Sequence, residues 1–166
     1  MPHTSNKREI FRKSTIALAA LCAIAASVTN ASAGDCPAGK VKTGAMKPGE
    51  TKPKGLTDKV IASIDLSKKS QALDGQLLRM RRLVIEPGGV VPWHSHAERP
   101  ALIYVINGSI TEFRSTCEVP ITHKAGEVTA EFGADLMHWW RNDSGKPVEL
   151  ISADLFKDGV KENHPM

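Results

Sequence analysis

Turn signals recur along this chain at short intervals, and no stretch between them carries sustained helical periodicity. Asp74-Gly75, Pro87-Gly88-Gly89, Asn107-Gly108, Lys124-Ala125-Gly126 and Asn142-Asp143-Ser144-Gly145 bound short runs rich in Val, Ile, Leu and Thr. Punctuation of this kind admits many short strands and leaves no room for a helical bundle, so the expected class is all-β, a barrel or a sandwich. Strands are expected over residues 76–86, across the pair His94 and His96, over 101–106 and 109–115 as a hairpin around Asn107-Gly108, and over 127–132, 136–142 and 147–156. Pro87-Gly88-Gly89 is read as the end of the first of these. Residues 60–66 suit an edge strand or a short helix, and periodicity does not decide between them. With 166 residues, 41% of them hydrophobic, one compact domain is expected.

The chemistry-bearing stretch is Pro92-Trp93-His94-Ser95-His96. Alternate side chains of a strand share a face, so His94 and His96 point the same way and can bind one metal ion, with Ser95 turned away. A soluble metal site needs a further ligand, and His138 supplies one from a later strand on which Trp140 and Asn142 share its face. The bland alternative is a solvated histidine pair. His123 reads as a surface residue before a turn, and His3 and His164 fall in chain ends. Trp93, Trp139 and Trp140 read as core or interface aromatics, Trp140 with the option of lining a pocket. Arg79, Arg81 and Arg82 read as solvated, although one of them turned inward would suggest an anionic ligand.

Gly88, His94, His96 and Gly108 match in order and spacing the first motif of the cupin family, and Gly126, His138 and Asn142 follow the outline of the second. Over residues 76–156 the chain therefore resembles a small single-domain cupin. The resemblance implies a jelly-roll β-barrel holding one divalent metal ion (Fe, Mn, Zn, Ni or Cu) through His94, His96 and His138. The family's glutamate is missing: Ala101 stands where it would be. Glu98, in period with the two histidines, is a replacement ranked below them because Arg99-Pro100 breaks the strand. Cupins include oxygenases, isomerases, decarboxylases and plain binding proteins. Two functions are accordingly carried forward: a metal-dependent small-molecule enzyme of dioxygenase type, and a non-catalytic ligand- or metal-binding protein of the cell envelope.

The N-terminus has its own grammar. Lys7, Arg8, Arg12 and Lys13 precede an apolar run over residues 15–28, and Ala31-Ser32-Ala33 offers a small-residue cleavage site, the three parts of a secretory signal peptide. The run is too short for a retained membrane anchor, so a periplasmic or secreted protein starting near Gly34 is expected. Residues 1–33 are thus assigned to the signal, 34–59 to an extended arm broken by Pro37, Pro48 and Pro53, 60–160 to the barrel and 161–166 to a tail. Much of the formal charge of +4 sits in the signal and the arm, which leaves no basic patch for nucleic acid in the barrel. Cys22 leaves with the signal, and Cys36 and Cys117 are expected to form a disulfide. In the strand over 101–106 both faces are apolar; one lines the interior, and the other needs a cover from the arm or from a second subunit, as in a homodimer.

Overall fold

The computed structural model describes residues 34–159. The signal peptide expected at 1–33, with His3 and Cys22, and the tail expected at 161–166, with His164, lie outside the described residues. Eight strands follow in order: β1 (Lys54–Asp65), β2 (Gln76–Ser95), β3 (Ala101–Asn107), β4 (Ser109–Arg114), β5 (Ile121–Lys124), β6 (Val128–Glu131), β7 (Met137–Arg141) and β8 (Val148–Lys157). They form a single antiparallel sheet in the order β5-β4-β7-β2-β8-β3-β6, with β1 laid along β2, and the sheet curls into a jelly-roll barrel. Of residues 60–66, undecided in the sequence, 60–65 extend β1, which pairs Asp65 with Leu77 and Leu56 with Ile85, and Leu66 opens a short 3-10 turn.

Two expected turns act differently from their reading. Pro87-Gly88-Gly89 does not end the strand; β2 runs through it for 20 residues and changes partner there. Its first half pairs with β8 from Gln76–Lys157 to Ile85–Val148, and its second half pairs with β7 from Val90–Arg141 to Ser95–Met137. The bend needs glycine: Gly88 has φ +70°, and a Cβ on Gly89 would stand 2.7 Å from the Glu86 carbonyl oxygen and 2.8 Å from Ile85. Asn142 pins it, donating from Nδ2 to the Ile85 carbonyl at 2.9 Å while its backbone exchanges hydrogen bonds with Gly88 and Gly89. Asn107-Gly108 turns the chain as expected, but β3 and β4 do not pair as a hairpin. β3 runs between β8 and β6 and β4 between β7 and β5, so the turn is a corner carrying the chain from one side of the curled sheet to the other.

Register orders the barrel interior in layers. Leu83, Leu150 and Val105 lie side by side across β2, β8 and β3; the next layer is Arg81, Ser152, Ile103 and, on β6, Thr129; the next is Arg79, Asp154, Ala101 and Glu131. The inward face thus passes from apolar to polar along the barrel. The apolar end is closed by Ile85, Val91, Ile110, Trp140 and Val148, all buried. Trp93 and Trp139 form a second cluster with Val90, Phe113 and Met137. All three tryptophans are therefore buried, as the sequence suggested.

The arm is shorter than expected, because residues 54–59 already belong to β1 and pair with β2, and what precedes them is held at several places. Cys36 and Cys117 are disulfide-bonded, with Cα atoms 5.6 Å apart and a sequence separation of 81. Ala45 and Lys42 donate to the backbone of Ser115 and Thr116, and Trp93 N–H donates to the Glu50 carbonyl at 2.7 Å. Closing a loop of this length restricts the unfolded chain by about 4 to 5 kcal/mol before native strain is subtracted. At the start of the arm, the Gly34 carbonyl accepts from Thr129 of β6 at 3.1 Å. Among the described residues no helix is long and apolar enough to cross a membrane.

Candidate metal centre

The antiparallel register sets His94 on β2 directly opposite His138 on β7, and His96 follows at the end of β2. The three imidazoles are fully or almost fully buried. Each has its Nδ1 engaged by an acceptor: His94 donates to the Pro92 carbonyl at 2.7 Å, His96 to the Arg99 carbonyl at 2.8 Å, and His138 to Glu112 at 2.5 Å. With Nδ1 carrying the proton, every Nε2 presents a lone pair. These lone pairs converge, 2.9 Å from His94 to His96 and 3.1 Å from His94 to His138.

A fourth acceptor joins them. Glu131 on β6 brings Oε2 to 3.1 Å from His96 Nε2 and Oε1 to 3.5 Å from His138 Nε2. The ligand atoms of His94, His96, Glu131 and His138 all lie within 4.8 Å of one another, a buried group that could hold a metal ion. Glu98, the weighed replacement, is exposed and outside the group. Period-two alternation does not single out Glu131, because the usual pattern is reversed on this strand. In Val128-Thr129-Ala130-Glu131 the apolar pair faces out and the polar pair faces in. The missing family carboxylate thus has a substitute next door, since Glu131 pairs directly with Ala101 across β6 and β3. Directly paired residues of an antiparallel ladder have Cβ atoms about 5 Å apart, so a carboxylate grown from either strand reaches nearly the same place.

The electrostatics favour a cation. Burial, reinforced by the neighbouring imidazoles and Arg99, holds His94 well below the usual histidine range and His96 at about 2. Burial pushes the Glu131 carboxyl up to about 7, and its Oε1 has no hydrogen-bond partner. With Glu131 ionised, four buried acceptors face one another without a donor among them, an arrangement that costs free energy unless positive charge, a proton or a cation, lies between them. The separations of 2.9 to 3.1 Å are close to those of ligands roughly 2.1 Å from a common ion, and the widest pair, which the 4.8 Å limit of the group allows to exceed the roughly 4.2 Å of opposed ligands, would draw in on binding. The donor set fits a divalent transition ion.

Behind His138 stands a polar shell that the sequence did not reveal. Glu112, fully buried, accepts from His138, from His123 Nε2 at 2.8 Å, and from Arg114 at 2.8 and 3.0 Å. Burial alone would raise its pKa, but the hydrogen bonds from His123 and His138 and the Arg114 charge hold it well below the usual carboxylate range. His123 is therefore not a surface residue: it is 1% exposed and stacks on Trp140 with ring centroids 4.5 Å apart. The arginines also depart from a solvated reading. Arg81 is buried and pairs with Asp58 and Asp154, and Arg79 grips Asp154 through two hydrogen bonds of 2.9 and 2.7 Å; only Arg82, paired with Glu149, is exposed.

A curled antiparallel barrel with inward imidazoles from β2 and β7 belongs to a class of β-barrel domains whose interior can hold a metal ion. Residues 81–154 match the family model described as Cupin domain, which supports a small cupin-type domain in this part of the chain. A search of curated proteins finds no match. Among solved structures, the cupin domain of Schizosaccharomyces pombe Cnp3 is 10% identical, with 65% of this chain and 69% of that one covered and a TM-score of 0.48. A predicted oxalate decarboxylase from Thermotoga maritima is 16% identical over 70% and 97%, with a TM-score of 0.49. A putative sugar phosphate isomerase from Acidithiobacillus ferrooxidans is 16% identical over 62% of this chain, which spans only 60% of that one, with a TM-score of 0.48.

Proposed function

We propose that this protein is a cell-envelope metalloprotein, periplasmic or secreted, that binds one divalent transition ion through His94, His96, His138 and Glu131 and acts on a small molecule as an oxygenase-type enzyme. The observation that carries the reading is the meeting of three imidazole lone pairs and a carboxylate in a buried site with no donor among them. Imidazole and carboxylate donors suit iron, manganese, nickel, copper or zinc. The ion would supply oxygen activation or polarisation of a chelating substrate.

The chain's own contribution is preorganisation. The Pro92 and Arg99 carbonyls and Glu112 fix the tautomer of each histidine, so that all three Nε2 atoms are available together. Arg114 and His123 keep Glu112 an acceptor, which strengthens His138 as a donor to a cation. Val91, Ile103, Trp140 and Leu150 exclude bulk water from one side of the group. The Cys36–Cys117 bond agrees with an oxidising compartment, where such bonds persist.

Metal analysis of the purified protein, followed by oxygen uptake against catechols, thiols and keto acids, tests the reading. One equivalent of ion with substrate-dependent uptake is expected. A protein that takes up no ion at all defeats it, and one that is loaded but inert with the whole panel returns the non-catalytic binding protein.

A further inference from the structure

A small cavity adjoins the centre, and one of its walls carries a polar group that the centre does not use. Val91, Ile103, Trp140 and Leu150 form the apolar lining, and His94, Glu131 and Ser152 supply the polar atoms. Ser152 projects from β8 between Leu150 and Asp154; it is 1% exposed, and its Oγ has no hydrogen-bond partner. Asp154, next along the same inward face, is saturated by arginines. A buried hydroxyl without a partner is destabilising where alanine would pack equally well, so Ser152 is best accounted for by something that enters the cavity.

Size limits what that is. The space swept by the centre of a water-sized sphere is about 20 Å³. One water needs roughly 10 to 15 Å³ by that measure, so a ring or a sugar is too large. We propose that the cavity is a binding site for an acceptor ligand of two or three heavy atoms, of the dioxygen and azide class, and that Ser152 is a positioning residue whose hydroxyl donates to it. The proposal rests on the metal reading above, because His94 and Glu131 form the polar side of the cavity. It further implies that any larger substrate approaches from outside this cavity.

The test uses protein loaded with cobalt(II), with azide as the probe and the visible absorption bands as the readout. Metal content is measured first, so that failure to load, which removes the metal reading itself, is distinguished from failure to bind azide. In loaded protein, azide is expected to shift the bands saturably; Ser152→Ala should weaken its affinity about tenfold, and Ser152→Val, which removes the donor and fills the space, should weaken it further. Loaded protein blind to azide, or a Ser152→Val variant that binds it like the parent, overturns the proposal and leaves the metal reading standing. A Ser152→Ala variant with unchanged affinity also overturns it, since the hydroxyl would then serve only an internal water.

Discussion

Two buried polar clusters lie in neighbouring parts of the same barrel, and their hydrogen-bond accounts differ in kind. Around Asp154, every acceptor meets a donor: Arg79 and Arg81 hold the carboxylate, and Asp58 takes the far side of Arg81. Around His138, three lone pairs and a carboxylate face one another with no donor. The first cluster is complete as it stands and serves the fold. The second is complete only with a cation, which is why it reads as the functional site. Burial and charge are common to both, so neither property alone distinguishes a working site from a structural one; the balance of donors and acceptors does.

Removing a ligand puts the contrast under the greatest strain. His138→Ala should lower metal affinity by well over about 100-fold, more than any change in the surrounding shell, as read by competition with a chelator. The complementary experiment, Asp154→Ala, strands buried arginines and should cost about 3 to 5 kcal/mol in chemical denaturation while leaving the metal stoichiometry at one. Its pH dependence has a defined sign. The hydrogen bonds and charges of Arg79 and Arg81 outweigh the burial that would raise the Asp154 pKa, and hold it below its ordinary 3.8. The stabilisation is therefore full above pH 3.8 and is lost as pH falls through the lower folded value, so the gap between parent and variant should close only in that acid range.

Smaller effects mark the boundary between the centre and its support. Glu112→Gln keeps the shape but removes the charge that His138 leans on, and should weaken metal binding by about 10- to 100-fold with the metal-free fold retained. The smallest change is expected from moving the carboxylate to the neighbouring strand. The double variant Glu131→Ala with Ala101→Glu should bind metal within about tenfold of the parent, whereas Glu131→Ala alone should not, because the two positions are directly paired. Equal losses in the single and double variants would show that only β6 can present the carboxylate.

The fold class, the two histidines on one strand face, the third on a later strand and the disulfide partners were all legible in the residue order, because turn chemistry, period-two alternation and cysteine count are local or nearly local signals. Glu131, Glu112, His123 and Ser152 were not. Each reaches its place through strand pairing: β6 lies beside β3, and β4 beside β7, and neither neighbourhood is encoded within a window of adjacent residues. The misread turns have the same origin, since Gly88 bends a strand that both sides of the barrel share, and Asn107-Gly108 joins strands that pair with others.

Residue order alone was enough to establish that this chain is built of strands and carries imidazoles at the right spacing for one ion, though not that β2 would run for 20 residues. Which carboxylate joins them was left to the folded barrel, because a ladder register brings together side chains thirty residues apart as firmly as alternation brings together those two apart. The barrel also turned the polar side of β6 inward against its hydropathy, since Thr129 meets Arg114 and the Gly34 carbonyl there while Glu131 joins the three histidines.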